Sequence, residues 1–277
     1  MLFYSLSGWQ LNNTTRLIMR QRGWLILLFV LAAATAGCTS KNFLVSAKDY
    51  QNTVKTLGVL PLLVDAESDV IHPERSGVIQ LLKTHSQGKT AYLVDELKGS
   101  KSYYDVRLIS GDADDLFANL IQDRELVTRP GSFYRSYRLN TAYAGELCRK
   151  NLVDGILVIV LNGVVTPRKF WDRTPITYLE TNYNLIVESA QVISTNGQML
   201  WEYSGDPDSP FLTLQYPDFD EAHYNKTDGV KLKFVTLKGL ETALQEPSSS
   251  LLGQDSVPRV YRQMLDRVAD QMKLGWW

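Results

Sequence analysis

Residue types able to do chemistry are thinly spread along this chain of 277 residues. Its three histidines, His72, His85 and His223, lie far apart, and none stands in the spacing that puts two imidazoles on one helix face for a metal. No Gly-x-Ser-x-Gly elbow, phosphate-cradling glycine loop or dinucleotide fingerprint is present. Asp112, Asp114 and Asp115 crowd together, but they do so at the start of an apolar-periodic stretch, where acids cap a helix and complement its dipole. The reading is of a chain without catalytic residues, metal or cofactor. Of its two cysteines, Cys148 falls inside a helical pattern with no base beside it and reads as a small core residue. Two polar-aromatic clusters stand out instead. Arg129 to Arg138 could offer arginine forks and ring faces to an anionic polymer or a partner protein, but is read rather as a loop and helix start whose rings pack on the domain while its arginines face water. Arg168, Lys169, Phe170, Trp171, Asp172 and Arg173, within Pro167 to Pro175, lie between two expected strands. Exposed loop aromatics beside arginines suit protein contacts, so Arg168, Phe170, Trp171 and Arg173 are the candidate partner interface.

The second cysteine, Cys38, has a different setting. Arg20 and Arg22 precede fifteen uncharged residues, Gly23 to Gly37, in which the apolar block Trp24 to Leu31 decays into Ala, Thr and Gly. That is the layout of a signal peptide. A spanning helix needs about 20 apolar residues to cross a hydrocarbon core near 30 Å, and this block is shorter. Thr35-Ala36-Gly37-Cys38 resembles the lipobox of bacterial lipoproteins, with Thr35 where that box usually has Leu. The resemblance implies cleavage between Gly37 and Cys38 and attachment of membrane lipid to the Cys38 thiol. Organisation of this kind begins only at Met19, which is the expected start. Thr39 after the cysteine implies, by likeness to Gram-negative lipoproteins, sorting to the outer membrane, with the domain facing the periplasm.

Composition sets the remaining bounds. Removing residues 1–37 leaves 240, enough for one large domain. Hydrophobic residues make up 44% and charged residues 21%, which fits a globular chain rather than a disordered or multi-span one. The removed segment takes Arg16, Arg20 and Arg22 from 29 basic residues, leaving 26 against 30 acidic ones. An acidic balance argues against nucleic acid as a partner, because binding phosphates needs concentrated positive charge.

The elements that would position these residues follow from periodicity. Residues 38–54 are polar and aperiodic, as a lipidated tether would be. The domain is expected over 55–277. Thr56 to Val64 reads as a buried strand interrupted at Pro61, and Tyr103 to Ile109 as another. Helices are expected at 76–84, 90–98, 112–125 and 141–150, and from Pro258 to Leu274. Gly155 to Leu161 reads as a central strand covered on both faces. Tyr183 to Ile193 and Gln198 to Tyr203 form a hairpin across Asn196-Gly197, both taken to need positive φ. Residues 205–257, rich in proline, read as an insertion. The fold class is α/β (α+β): a mixed β-sheet with packing helices and a long insertion before the last helix.

The order of these elements resembles periplasmic lipoproteins of the curli-secretion (CsgG-like) type, penicillin-binding-protein activators and the Tol amino-terminal domain. Gly58-Val59-Leu60-Pro61, Asn151 to Val158 and the hairpin Ala190 to Trp201 carry the likeness. It implies a non-enzymatic accessory or structural role in envelope assembly, secretion or transport. Partners would then be envelope proteins, a homo-oligomer among the options. The competing reading is a periplasmic enzyme or solute-binding lipoprotein acting on wall or lipid material. A pore is disfavoured: the alternating stretches at Leu212 to Tyr216 and Val230 to Phe234 fall short of the roughly 9–11 residues of a membrane-crossing strand.

Overall fold

The apolar run beginning at Gly155 becomes the strand around which the rest is arranged. In the computed structural model it extends far past Leu161, to Trp171, as the 17-residue strand β6 (Gly155–Trp171). Ile156, Val158 and Val160 enter one apolar cluster with Leu116, Leu120, Ala144 and Cys148. Leu157, Ile159 and Leu161 enter the other, with Leu82, Leu93, Leu240, Met264 and Leu265. A strand wetted on neither face has no reason to alternate, and that is why this one reads as a continuous apolar block. The structure describes residues 42–129, 132–173, 178–224, 229–250 and 253–273; the expected signal segment, Met19, Gly37, Cys38 and Trp276-Trp277 fall outside them.

The main sheet has the order β3-β1-β6-β7-β8. Strands β1 (Thr56–Val59) and β3 (Asp105–Leu108) are parallel to each other, and β1 is parallel to β6. Pro61 falls in a break: Leu60 still donates its N–H to Leu157 O, and the chain resumes as β2 (Leu63–Val64) further along β6. Strand β7 (Tyr178–Ser194) runs antiparallel to the whole of β6, and β8 (Met199–Ser204) and β9 (Leu212–Thr213) pair with β7. The fold is thus α/β with a mixed, open sheet.

Helices cover both faces. On one side lie α1 (Ala47–Thr53), α2 (Arg75–Ser86) and α3 (Thr90–Gly99). On the other lie α4 (Ala113–Leu120) and α5 (Thr141–Asn151), between which the chain makes the hairpin β4 (Ile121–Arg129) and β5 (Ser132–Leu139). The acids at 112–115 do cap α4, with the Asp112 carboxylate accepting the N–H groups of Asp114 and Asp115. That helix nonetheless stops at Leu120 rather than reaching Glu125, and the Arg129 to Arg138 cluster belongs to a hairpin, not to a loop and helix start.

One further expectation is corrected. The tether drawn over 38–54 does not hold from Asn42 onward. Phe43 bridges Trp201, Leu44 N–H donates to Leu200 O, and Tyr50 is fully buried with its hydroxyl 2.9 Å from that of Tyr103. Backbone pairing to the β8 edge leaves no periodicity in side chains, so the sequence hid it. Within the 205–257 region, β10 (Gln215–Asp218) pairs with β11 (Lys231–Phe234). The short helix α6 (Phe219–Tyr224) follows β10, and α7 (Leu237–Gln245) then sends Leu240 and Leu244 into the main core. After the hairpin β12 (Pro247–Ser250) and β13 (Gly253–Pro258), α8 (Arg259–Gln271) closes the same core with Tyr261, Met264, Leu265 and Val268.

Candidate functional site

Of the four residues picked out as an interface, Arg168, Phe170 and Trp171 lie on strand β6 rather than in a loop, and Arg173 follows its end. Beyond Thr166 the β6–β7 ribbon leaves the doubly covered region, and its residues alternate between half-covered and exposed. Successive strand side chains point to opposite faces, so Arg168 and Phe170 share one face and Lys169 and Trp171 the other. Phe170 packs on buried Tyr183, ring centroids 4.4 Å apart, beside Val164, Leu185 and Leu232. The Arg168 guanidinium lies 4.8 Å from the Phe170 centroid and donates to Asp208 O at 3.0 Å. These two side chains therefore hold the ribbon against the rest of the domain.

The opposite face is open. Trp171 is 53% exposed and sits across the ladder from Tyr178, which is 47% exposed, with centroids 4.9 Å apart. Lys169 Nζ stands 3.9 Å from the Tyr178 centroid and 3.6 Å from the carboxylate of Glu180, so the cation is neutralised while its stem supports both rings. Arg173, at the end of the ribbon, donates to Asp220 at 2.7 Å. Between the ribbon end and β10–α6 lies a cleft of about 250 Å³, bordered by Trp171, Arg173, Tyr216 and Asp220. Tyr216 is itself 45% exposed. Tyr178 and Tyr216 were missed by sequence reasoning. The signal that could have found Tyr178 is the period of two carried through Lys169, Trp171, Tyr178 and Glu180 into the covered strands.

The other arginine cluster has a structural use. Asp65, fully buried just after β2, accepts from Arg124 Nη1 at 2.6 Å, from the Tyr137 hydroxyl at 3.0 Å and from the Glu67 N–H at 3.0 Å. Arg124 also pairs with Glu67, and Arg135 with Asp69 at 2.8 Å. Burial beside Asp65 pushes the Tyr137 phenol far above its ordinary value. The β4–β5 hairpin is thus clamped to the acidic segment after β2. The rings of Tyr134 and Tyr137 are buried and Arg138 is exposed as expected, whereas Arg135 binds Asp69 instead of facing water; Arg124, outside the cluster, joins the same acids.

Of the histidines, His72 is largely buried; its Nδ1 accepts the Glu74 N–H at 3.0 Å, so Nε2 carries the proton given to Val235 O at 2.8 Å. Cys148 is fully buried, and burial raises its thiol. Among the described residues no three His, Cys, Asp or Glu side chains gather as metal ligands. Glu188, fully buried on β7, pairs with Arg267 at 3.2 Å, while its second oxygen has no hydrogen-bond partner among the described residues. Burial holds this carboxyl above the usual range, with Arg267 pulling the other way.

No family model and no curated protein matches this chain. Among solved structures it is similar to the PelC dodecamer from Paraburkholderia phytofirmans, at 9% identity and a TM-score of 0.28, over 81% of this chain and 91% of that one. A point variant of that dodecamer from the same organism matches at 8% identity and a TM-score of 0.29, over 80% and 91% of the two chains.

Proposed function

We propose that this protein is a lipid-anchored, non-enzymatic accessory subunit of an envelope assembly, secretion or transport system. It would dock a protein partner through the open face of the β6–β7 ribbon. The observation that carries the reading is the pair of exposed rings, Trp171 and Tyr178, mounted on a ladder fixed from behind by Phe170 and Arg168. Rigid aromatic side chains beside a polar rim are the usual anchors of protein interfaces, because they cover large area at small entropic cost. The neighbouring cleft, at about 250 Å³, falls below the roughly 300–1,000 Å³ of typical small-molecule sites. That size favours surface contact over a solute.

Alternation along β6 separates the two rings in a single experiment. Trp171→Ala removes an exposed side chain and should leave stability within about 0.5 kcal/mol of wild type, yet reduce recovery of envelope proteins cross-linked in intact cells. Phe170→Ala instead opens the contact with Tyr183 and should lower the thermal midpoint. If Trp171→Ala retains every cross-linked partner, the ribbon face is not the docking surface.

A further inference from the structure

The two edges of the main sheet are treated differently. Along β8 the chain supplies its own cover, with Asn42 O accepting from Glu202 N–H and Leu44 N–H donating to Leu200 O. Along β3, the other end of the strand order, no strand pairs among the described residues. Ile109 N–H donates to Val59 O, so the odd positions of β3 face β1, and the N–H and C=O groups of Val106 and Leu108 point to the open side. Natural proteins blunt such an edge with Lys, Pro or a bulge, since it is a template for another strand. β3 is short, at four residues, and charged at Asp105 and Arg107, but it carries no Lys, Pro or bulge, and Tyr104 is 93% and Leu108 47% exposed.

We infer that β3 is a dimerisation edge, pairing antiparallel with β3 of a second copy about a two-fold axis at Val106. The sequence is chemically self-complementary about that residue. The axis sets Asp105 opposite Arg107 of the second copy, twice, and Tyr104 opposite its Leu108, twice, as an isologous interface requires. Val106 meets its own copy as a hydrogen-bonded pair, exchanging the two outward N–H and C=O groups. Asp105 and Arg107 then occupy non-hydrogen-bonded positions, where side chains come closest, at about 4.5 Å between Cα atoms. Arg107 is pre-set for this contact. Nε donates to Asp105 at 2.8 Å and Nη1 to Asn151 O and Leu152 O, which leaves Nη2 for the facing carboxylate. Leu152, 76% exposed and held at a φ of 53°, presents a further apolar side chain beside the same arginine. Its left-handed backbone closes the C-terminus of α5, where the Val153 N–H donates to Cys148 O at 3.0 Å, and so fixes the exposed side chain beside β3.

The inference is independent of lipidation and of the ribbon face. Sedimentation velocity of the full chain in a non-ionic detergent tests it, with thermal unfolding run on each variant. Wild type is expected to show a reversible, concentration-dependent dimer. Asp105→Lys alone and Arg107→Asp alone place like charges across both pairs, and each should weaken dimerisation by roughly tenfold or more. An equimolar mixture of the two variants restores both attractions and should dimerise again. Leu108→Pro leaves those charges in place and removes only an outward N–H, a change an edge strand tolerates, and it should also give monomers. A monomeric wild type, a dimer indifferent to these changes, or a mixture that stays monomeric overturns the inference.

Discussion

A residue whose environment works against its charge leaves a mark on stability, and Glu188 is the clearest case. Its folded value is raised by burial, Arg267 offsetting only part of the cost. Below the ordinary carboxylate value of 4.5 it is protonated in both folded and unfolded chains, and its contribution to stability is fully present there. As pH rises from there towards the folded value, the unfolded chain ionises more readily than the folded one, and stability falls. The slope for one proton is at most about 1.4 kcal/mol per pH unit. Glu188→Gln cannot ionise, so the difference between wild type and variant, measured by urea unfolding at successive pH values, should shift steadily in the variant's favour above pH 4.5. A difference that stays flat with pH would mean that Arg267 compensates the charge in full. The same scale accounts for Arg168 and Phe170, whose neighbours Lys169 and Trp171 face the other way. One residue of displacement along a strand exchanges packing for exposure.

At the scale of elements, turn chemistry and ladder length decide more than side-chain patterning. The β7–β8 connection was expected to need positive φ at both Asn196 and Gly197; only Gly197, at 81°, has it. Asn196 acts through its side chain, which pairs with Ser194 and accepts the Gln198 N–H at 3.2 Å. A Cβ on Gly197 would lie 2.6 Å from Thr141 Cβ at the start of α5, so the glycine is fixed by two independent demands. Gly197→Val should therefore cost about 1–3 kcal/mol from backbone strain, with the clash added. An unchanged thermal midpoint would contradict both. The β4–β5 hairpin makes the complementary point: Arg124, Arg135 and Tyr137 are recruited to Asp65, Glu67 and Asp69 some sixty residues upstream, a use that no local spacing announces.

For the molecule as a whole, the lipid proposed on Cys38 would set where it works. Each buried methylene contributes about 0.8 kcal/mol, so two or more acyl chains give lasting attachment where one would be reversible. Cys38→Ser should abolish incorporation of radiolabelled palmitate, and labelling at the wild-type level would reject the anchor. How the domain is built was partly legible beforehand. The sequence by itself determined the α/β class, the doubly covered start of β6, the cap at Asp112, the turn at Gly197 and the last helix, because each rests on local periodicity or on one backbone requirement. Only the tertiary structure decided that β6 and β7 run on to Trp171 and Tyr178, that Asn42 to Leu44 shield β8, and that Tyr178 and Tyr216 join the candidate interface. It likewise decided that, among the described residues, no strand pairs with the outer edge of β3. The physical reason is common to all four: ladder partners and sheet edges are set by backbone hydrogen bonds between distant segments, which a chain read residue by residue does not display.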